Sequence, residues 1–150
     1  MQKNRLDELE AVAKQGVESI LSSESLTPTI IICSSKGTEV VGIVGDGPNA
    51  RTYTLAGITQ LLTDRNADAY ALVTEGYATK FVEAAKKVGG RIRDLPPEDR
   101  YDIASIVLME RGQIPKLVAS VIDADSNGVR SLRKWETMDS AKGAYVITEW

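Results

Sequence analysis

The stretch from Asp102 to Thr137 constrains this chain most, because its apolar runs are too short for ordinary helices and are punctuated by turn residues. Ile103-Ala104-Ser105-Ile106-Val107-Leu108-Met109 is rich in β-branched and large apolar side chains. It stops at Glu110-Arg111-Gly112-Gln113, which supplies a turn glycine. Lys116-Leu117-Val118-Ala119-Ser120-Val121-Ile122 follows and stops at Asp123-Ala124-Asp125-Ser126-Asn127-Gly128. There the Asn-Gly pair tolerates positive φ and suits a hairpin. A third and far more polar run extends from Val129 to Thr137. The pattern predicts an antiparallel meander.

The faces of these strands say what must surround them. A half-wet antiparallel strand alternates apolar with polar residues. The first run does not: Ile103, Ser105, Val107 and Met109 share one face, and Ala104, Ile106 and Leu108 the other. The second sets Leu117, Ala119 and Val121 against Val118, Ser120 and Ile122. Both strands therefore demand cover on both sides. The third run carries Arg130, Lys134 and Glu136 on one side and Arg133 on the other, as an edge strand or a solvated face does.

Upstream, Leu6, Leu9, Ala13, Val17, Ile20 and Leu21 recur at helical spacing and predict a helix over 4–22, interrupted only by Gly16. Its stripe suits a sheet face, or the same helix of a second subunit. Thr29 to Ser34 and Thr38 to Val44 predict a hairpin around Ser35-Lys36-Gly37. A helix from about Thr52 to Arg65 follows, buried through Leu55, Ile58, Leu61 and Leu62 and ended by Asn66. Ala69 to Thr74 is a strand. A shorter helix is expected from Ala78 to Val88, ended by Gly89-Gly90. Arg91 to Arg100 is a connector broken by Pro96-Pro97. After the meander, 138–143 is a loop and Ala144 to Thr148 a last strand. Helices interleaved with strands in this order argue for a single α+β domain over 1–150. It would hold a mostly antiparallel sheet (a hairpin, inserted helices and a C-terminal meander) flanked by helices.

Composition narrows the chemistry. A chain of 150 residues with 43% hydrophobic and 26% charged content is long enough for one sizeable core, and 5% aromatics make that core mainly aliphatic. No apolar run reaches about 18 residues, so no membrane span is expected. The segment from Met1 to Glu8 leads into an acidic amphipathic stretch rather than a secretory apolar region, so a soluble, cytoplasmic protein is the expectation. A net charge of −3, from 18 basic and 21 acidic residues, speaks against extended nucleic-acid binding. The lone Cys33 cannot form an intramolecular disulfide and reads as a packed thiol. Histidine is absent, which excludes Ser-His-Asp and Cys-His catalysis and the usual zinc sites. No metal site and no cofactor is expected.

Several short stretches invite a functional reading. Gly45-Asp46-Gly47-Pro48-Asn49-Ala50-Arg51 lies between a strand and a helix, where backbone N–H groups favour an anion and Arg51 adds charge. It lacks the G-x-G-x-x-G order and the Walker lysine, and Asp46 would repel a phosphate. Gly45, Asp46, Gly47, Asn49 and Arg51 are nonetheless the candidate site for a small phosphorylated or nucleotide ligand. Glu75, at the end of its strand beside Gly76 and Tyr77, is a candidate site carboxylate. Asp123, Asp125 and Asn127 match the opening of an EF-hand loop, but Lys134 stands where the bidentate glutamate belongs and strands flank the loop, so a hairpin turn explains them. Lys80, Lys86, Lys87, Arg91 and Arg93 form a basic cluster that a solvated helix face explains.

Val73-Thr74-Glu75-Gly76-Tyr77, followed by Pro96-Pro97-Glu98-Asp99-Arg100 before an apolar strand and a hairpin, resembles a group of small prokaryotic and phage proteins of uncharacterised activity. Those carry V-T-E-A-W and a Pro-rich Asp-Arg segment at similar points, where this chain has Gly76-Tyr77 in place of Ala-Trp. The resemblance implies the same strand order and no activity. The residues together predict a non-catalytic interaction or regulatory protein acting as a homo-oligomer, with a dimer the simplest form. Their alternative is an enzyme or sensor that uses the Gly45–Arg51 loop.

Overall fold

The computed structural model describes residues 5–20, 28–43, 50–78, 86, 89, 94–138, 147 and 149–150, with backbone alone at 20, 50–54, 77 and 78. The elements run α1 (Arg5–Ile20), β1 (Thr29–Ser34), β2 (Gly37–Gly42), α2 (Ala50–Asp64), β3 (Ala69–Ala78), β4 (Tyr101–Glu110), β5 (Lys116–Ala124), β6 (Arg130–Leu132) and β7 (Glu136–Met138). The strands form one sheet in the order β2-β1-β3-β4-β5-β6, with β7 also on β5, and every pairing is antiparallel. This is an α+β architecture of a mostly antiparallel sheet flanked by helices. The helix expected from Ala78 to Val88, the loop expected at 138–143 and the strand expected from Ala144 to Thr148 fall largely or wholly outside the described residues; Met138 ends β7 rather than opening the loop.

The dry centre predicted for the meander is present, and the same chain covers it on both sides. On one face, Leu9, Ala13 and Val17 of α1 pack on Ile31, Ala71, Val73, Ala104, Ile106, Leu108, Val118 and Ile122. On the other, Ile58 and Leu62 of α2 and Ile147 pack on Ile30, Ile32, Tyr70, Leu72, Val107 and Met109. Helical spacing of four places Leu9, Ala13 and Val17 on one stripe, which meets the sheet rather than a second helix. The α1 face of β4 and β5 is thus covered internally, while on the other face Val107 and Met109 are buried and Ile103, Leu117 and Val121 remain half-buried.

Local chemistry sets the element ends. Asn66 takes a left-handed φ of 48° after α2. Its N–H bonds Thr63 O at 3.0 Å and the N–H of Ala67 bonds Leu62 O at 3.0 Å, a Schellman stop. The N–H of Asp68 then bonds Cys33 O at 2.8 Å, which docks the start of β3 beside β1. At the far terminus the buried Tyr70 hydroxyl accepts from Ile147 N at 2.9 Å and donates to Ile147 O at 2.8 Å. Trp150 Nε1 donates to Ala67 O at 2.8 Å, and the Trp150 ring meets that of Tyr70 edge-on at 5.7 Å. Burial pushes the Tyr70 phenol above its ordinary value, partly offset by the bond to Ile147.

Two expectations change. β3 does not stop at Thr74 but continues to Ala78, because β4 supplies a long partner whose register runs from Ala69↔Glu110 to Ala78↔Tyr101. The polar run from Val129 to Thr137 is not one strand. It splits into β6 and β7, because the three steps from Ala119 to Ile122 on β5 face four steps from Leu132 to Glu136. One residue is extra, as in a β-bulge. The bulge brings both Leu132 and Trp135 onto the α1 face.

Candidate functional site

Glu75 was expected at a strand end and lies instead inside β3, on the α1 face opposite Ala104. Arg130 of β6 reaches across to pair with it, both side chains being four-fifths or more shielded at 20% and 16% exposure. The pair ties β6 back to β3 across β4 and β5.

The turn after β5 is likewise accounted for. Asp125 Oδ1 accepts from the N–H groups of Asn127 at 2.8 Å and Val129 at 2.9 Å. Gly128 takes the positive φ of 79° that the Asn-Gly pair foretold. Asp123 accepts two bonds from the Arg133 guanidinium, at 2.8 and 2.9 Å. These groups close a hairpin, and no cluster of metal-ligating side chains occurs among the described residues. Gly45, Asp46, Gly47 and Asn49 lie outside the described residues, as do Lys80, Lys87, Arg91 and Arg93; Arg51 is placed only as backbone in α2, and Lys86 is exposed. The expected anion loop thus lies outside the described residues, apart from the backbone of Arg51.

Among the described residues, one border of the sheet is open. β2 pairs only with β1, in the register Thr29↔Gly42 to Ser34↔Gly37, and among the described residues no strand lies on its other side. The ladder extends one step further, since the N–H of Ile43 bonds Pro28 O at 2.8 Å. Bonded and non-bonded pairs alternate along an antiparallel ladder, so Ile43, Val41, Glu39 and Gly37 turn their backbone groups toward β1. Thr38, Val40 and Gly42 must then turn theirs outward.

The side chains repeat the asymmetry. Val41 packs partly against the α2-side core, and Glu39 accepts from Arg65 Nε at 2.7 Å. That hydrogen bond holds the Glu39 carboxyl below its ordinary range although the group is exposed. Val40 stands opposite Ile31 on the α1 face, yet it is 63% exposed because α1 packs on β3 and β4. Sequence reading missed this edge. Thr38-Glu39-Val40-Val41 shows only a strand of mixed polarity, and its place at the end of the sheet depends on β1 pairing with the distant β3.

No helix among the described residues is long and apolar enough to cross a membrane. No family model, curated protein or solved structure matches this chain, so the case for its function rests on its own geometry.

Proposed function

We propose that the protein is a non-catalytic interaction module whose working surface is the open edge of β2, which takes an extended segment of a partner as an additional strand. The observation that carries this reading is the contrast along one short strand: outward backbone groups at Thr38, Val40 and Gly42 with an exposed valine at their centre. Added strands bind through the main chain and are selected through alternate side chains. Natural edges are ordinarily blunted by a lysine, a proline, a bulge or a covering loop. Between Gly37 and Gly42 the sequence contains neither lysine nor proline. The engagement of Glu75 by Arg130 and of Asp123 by Arg133 supports a binding rather than a catalytic role for the described surface.

Peptides selected on the wild-type protein from a random display library test it. Val40→Pro removes only an outward N–H, so the bonds of β2 to β1 survive. Binding by the selected peptides should fall at least tenfold on Val40→Pro, with the melting temperature retained. Selected peptides that bind both proteins alike would sink the proposal.

A further inference from the structure

We infer that the strand taken up by β2 is β2 of a second copy, in one particular antiparallel register; this rests on the open-edge reading above. A two-fold axis perpendicular to the sheet relates an edge strand to itself in an antiparallel sense, so the question is which residues meet. Because Thr38, Val40 and Gly42 all turn their backbone groups outward, any register must pair even-numbered residues with even-numbered residues.

Three such registers use most of the strand; the one with its axis through Val41 leaves Thr38 outside the described ladder and bonds only Val40 and Gly42, and charge separates the other two. If Thr38 pairs with the partner's Val40, the axis passes through Glu39, and Glu39 lies directly opposite the partner's Glu39. Like charges directly opposite on a sheet are destabilising. If the axis passes through Val40 instead, Val40 pairs with the partner's Val40 and Thr38 with the partner's Gly42. Each of these pairs exchanges both of its N–H···O bonds. Glu39 then faces the partner's Val41 and keeps Arg65 as its counter-ion on its own subunit, with the partner's Glu39 only diagonal to it rather than directly opposite. The two exposed valines become neighbours on the α1 face, which removes the main apolar exposure of the strand. One register satisfies the backbone, the charge and the valine together.

The helices permit it. α2 packs over β1 and β3, so across the axis the two α2 helices would stand roughly 19 Å apart, four strand spacings, well beyond helix contact. α1 lies further away over β3 and β4. The joined sheet runs continuously through both subunits, and its two outer ends are the guarded β5–β6–β7 borders.

Sedimentation velocity from micromolar to sub-millimolar concentration, with cross-linking, tests the inference on the full chain. Wild type should form a dimer, and Val40→Pro should weaken self-association at least tenfold without loss of melting temperature. Val40→Lys sets two ammonium groups opposite each other and should do the same should the proline variant not fold. In a Cys33→Ala background, Val40→Cys should oxidise to a covalent dimer, since hydrogen-bonded partners lie about 5.5 Å apart at Cα, within disulfide reach. Glu39→Cys should not. A dimer indifferent to both changes at Val40, or one cross-linked through position 39 instead of 40, overturns the register. A wild type that stays monomeric while still binding selected peptides in a Val40→Pro-sensitive way overturns self-pairing and leaves the open-edge reading standing.

Discussion

The sheet has two borders, and they are built in opposite ways. At the β5 border the chain returns twice, as β6 against Ile122–Ala124 and as β7 against Leu117–Ala119. The residue count is broken by a bulge between them. Ser120 Oγ donates to Arg133 O at 2.6 Å, the N–H of Arg133 bonds Val121 O at 2.9 Å, and Asp123 clasps the Arg133 guanidinium. Trp135 folds onto the α1 face with Lys14 Nζ 5.6 Å from its ring centre. At the β2 border there is, among the described residues, one strand without a bulge, one ion pair and an exposed valine. Bulges and inward-reaching charges are how a sheet keeps other chains away. Among the described residues the β2 border has neither a bulge nor a returning strand, and the open-edge proposal rests on that contrast.

The comparison assumes that both borders hang on one covered centre, and the largest expected effect tests that assumption. Leu108 is fully buried between β3 and β5 beneath α1. Leu108→Ala should cost about 3 kcal/mol, through lost burial plus the cavity left behind. Leu108→Asp should unfold the chain, because an unpaired charge cannot be tolerated there. Chemical denaturation checks both. A Leu108→Asp protein that stays folded and merely changes its association state would mean that this face meets a partner and not α1.

How much of this was legible beforehand depends on how far apart the interacting residues are. The hairpin around Ser35-Lys36, the stop at Asn66, the Asn127-Gly128 turn and the dryness of β4 and β5 are local, written in turn chemistry and alternation. The polar run after Val129 announced a border correctly. Its bulge was hidden, because a bulge is a mismatch between two strands and neither strand carries it alone. The same holds for β3, which outlasts its apolar residues only because Tyr101–Met109 lies alongside. The source of the cover was also illegible: an apolar face demands something above it, and the demand does not name the chain that answers. Of the candidate site, Glu75 shows no charge partner near it in sequence, because the Arg130 that engages it is far along the chain. The outward phase of Val40 needed the single bond between Ile43 and Pro28.

A smaller effect sharpens the contrast from the guarded side. Ser120 is the one buried polar residue of the described core, and its hydroxyl holds the backbone at the bulge. Ser120→Ala should cost about 1 kcal/mol, the typical net value of such a bond. The loss should be local. Amide exchange at Arg133 should quicken while that at Val41, bonded inward to β1, keeps its rate. Equal acceleration at both residues would show that the bulge is a passive detail and not the device that closes this border.

The smallest effect is acid, and its sign follows from the direction of each shift. Asp123 is held below its ordinary value of 3.8 chiefly by the hydrogen bonds from Arg133, with slight burial opposing them. Glu39 is held below 4.5 chiefly by the hydrogen bond from Arg65, again with burial opposing. For Glu10, burial works to raise the carboxyl and is the largest single influence, but the ammonium groups of Lys116 and Lys14 together outweigh it. In all three the folded state binds its proton less readily than the unfolded chain does. Their stabilisation is therefore complete above the ordinary carboxylate range and is lost as pH falls through the lowered folded values. Asp123 and Glu39 are exposed, so each contribution is small and screened by salt. The two borders should still respond differently. Protonating Asp123 releases the guanidinium of the residue whose backbone makes the bulge, so protection at Arg133 should fall as pH drops below the ordinary carboxyl value of 3.8. Protonating Glu39 frees Arg65 but leaves the inward ladder at Val41 and Ile43 intact, so protection there should hold over the same fall in pH. Protection factors corrected for the intrinsic exchange rate at each pH measure this directly. If Val41 loses protection together with Arg133, the ion pair on β2 is as structural as the one at the bulge, and the distinction between a fortified border and a plain one is weaker than their geometry indicates.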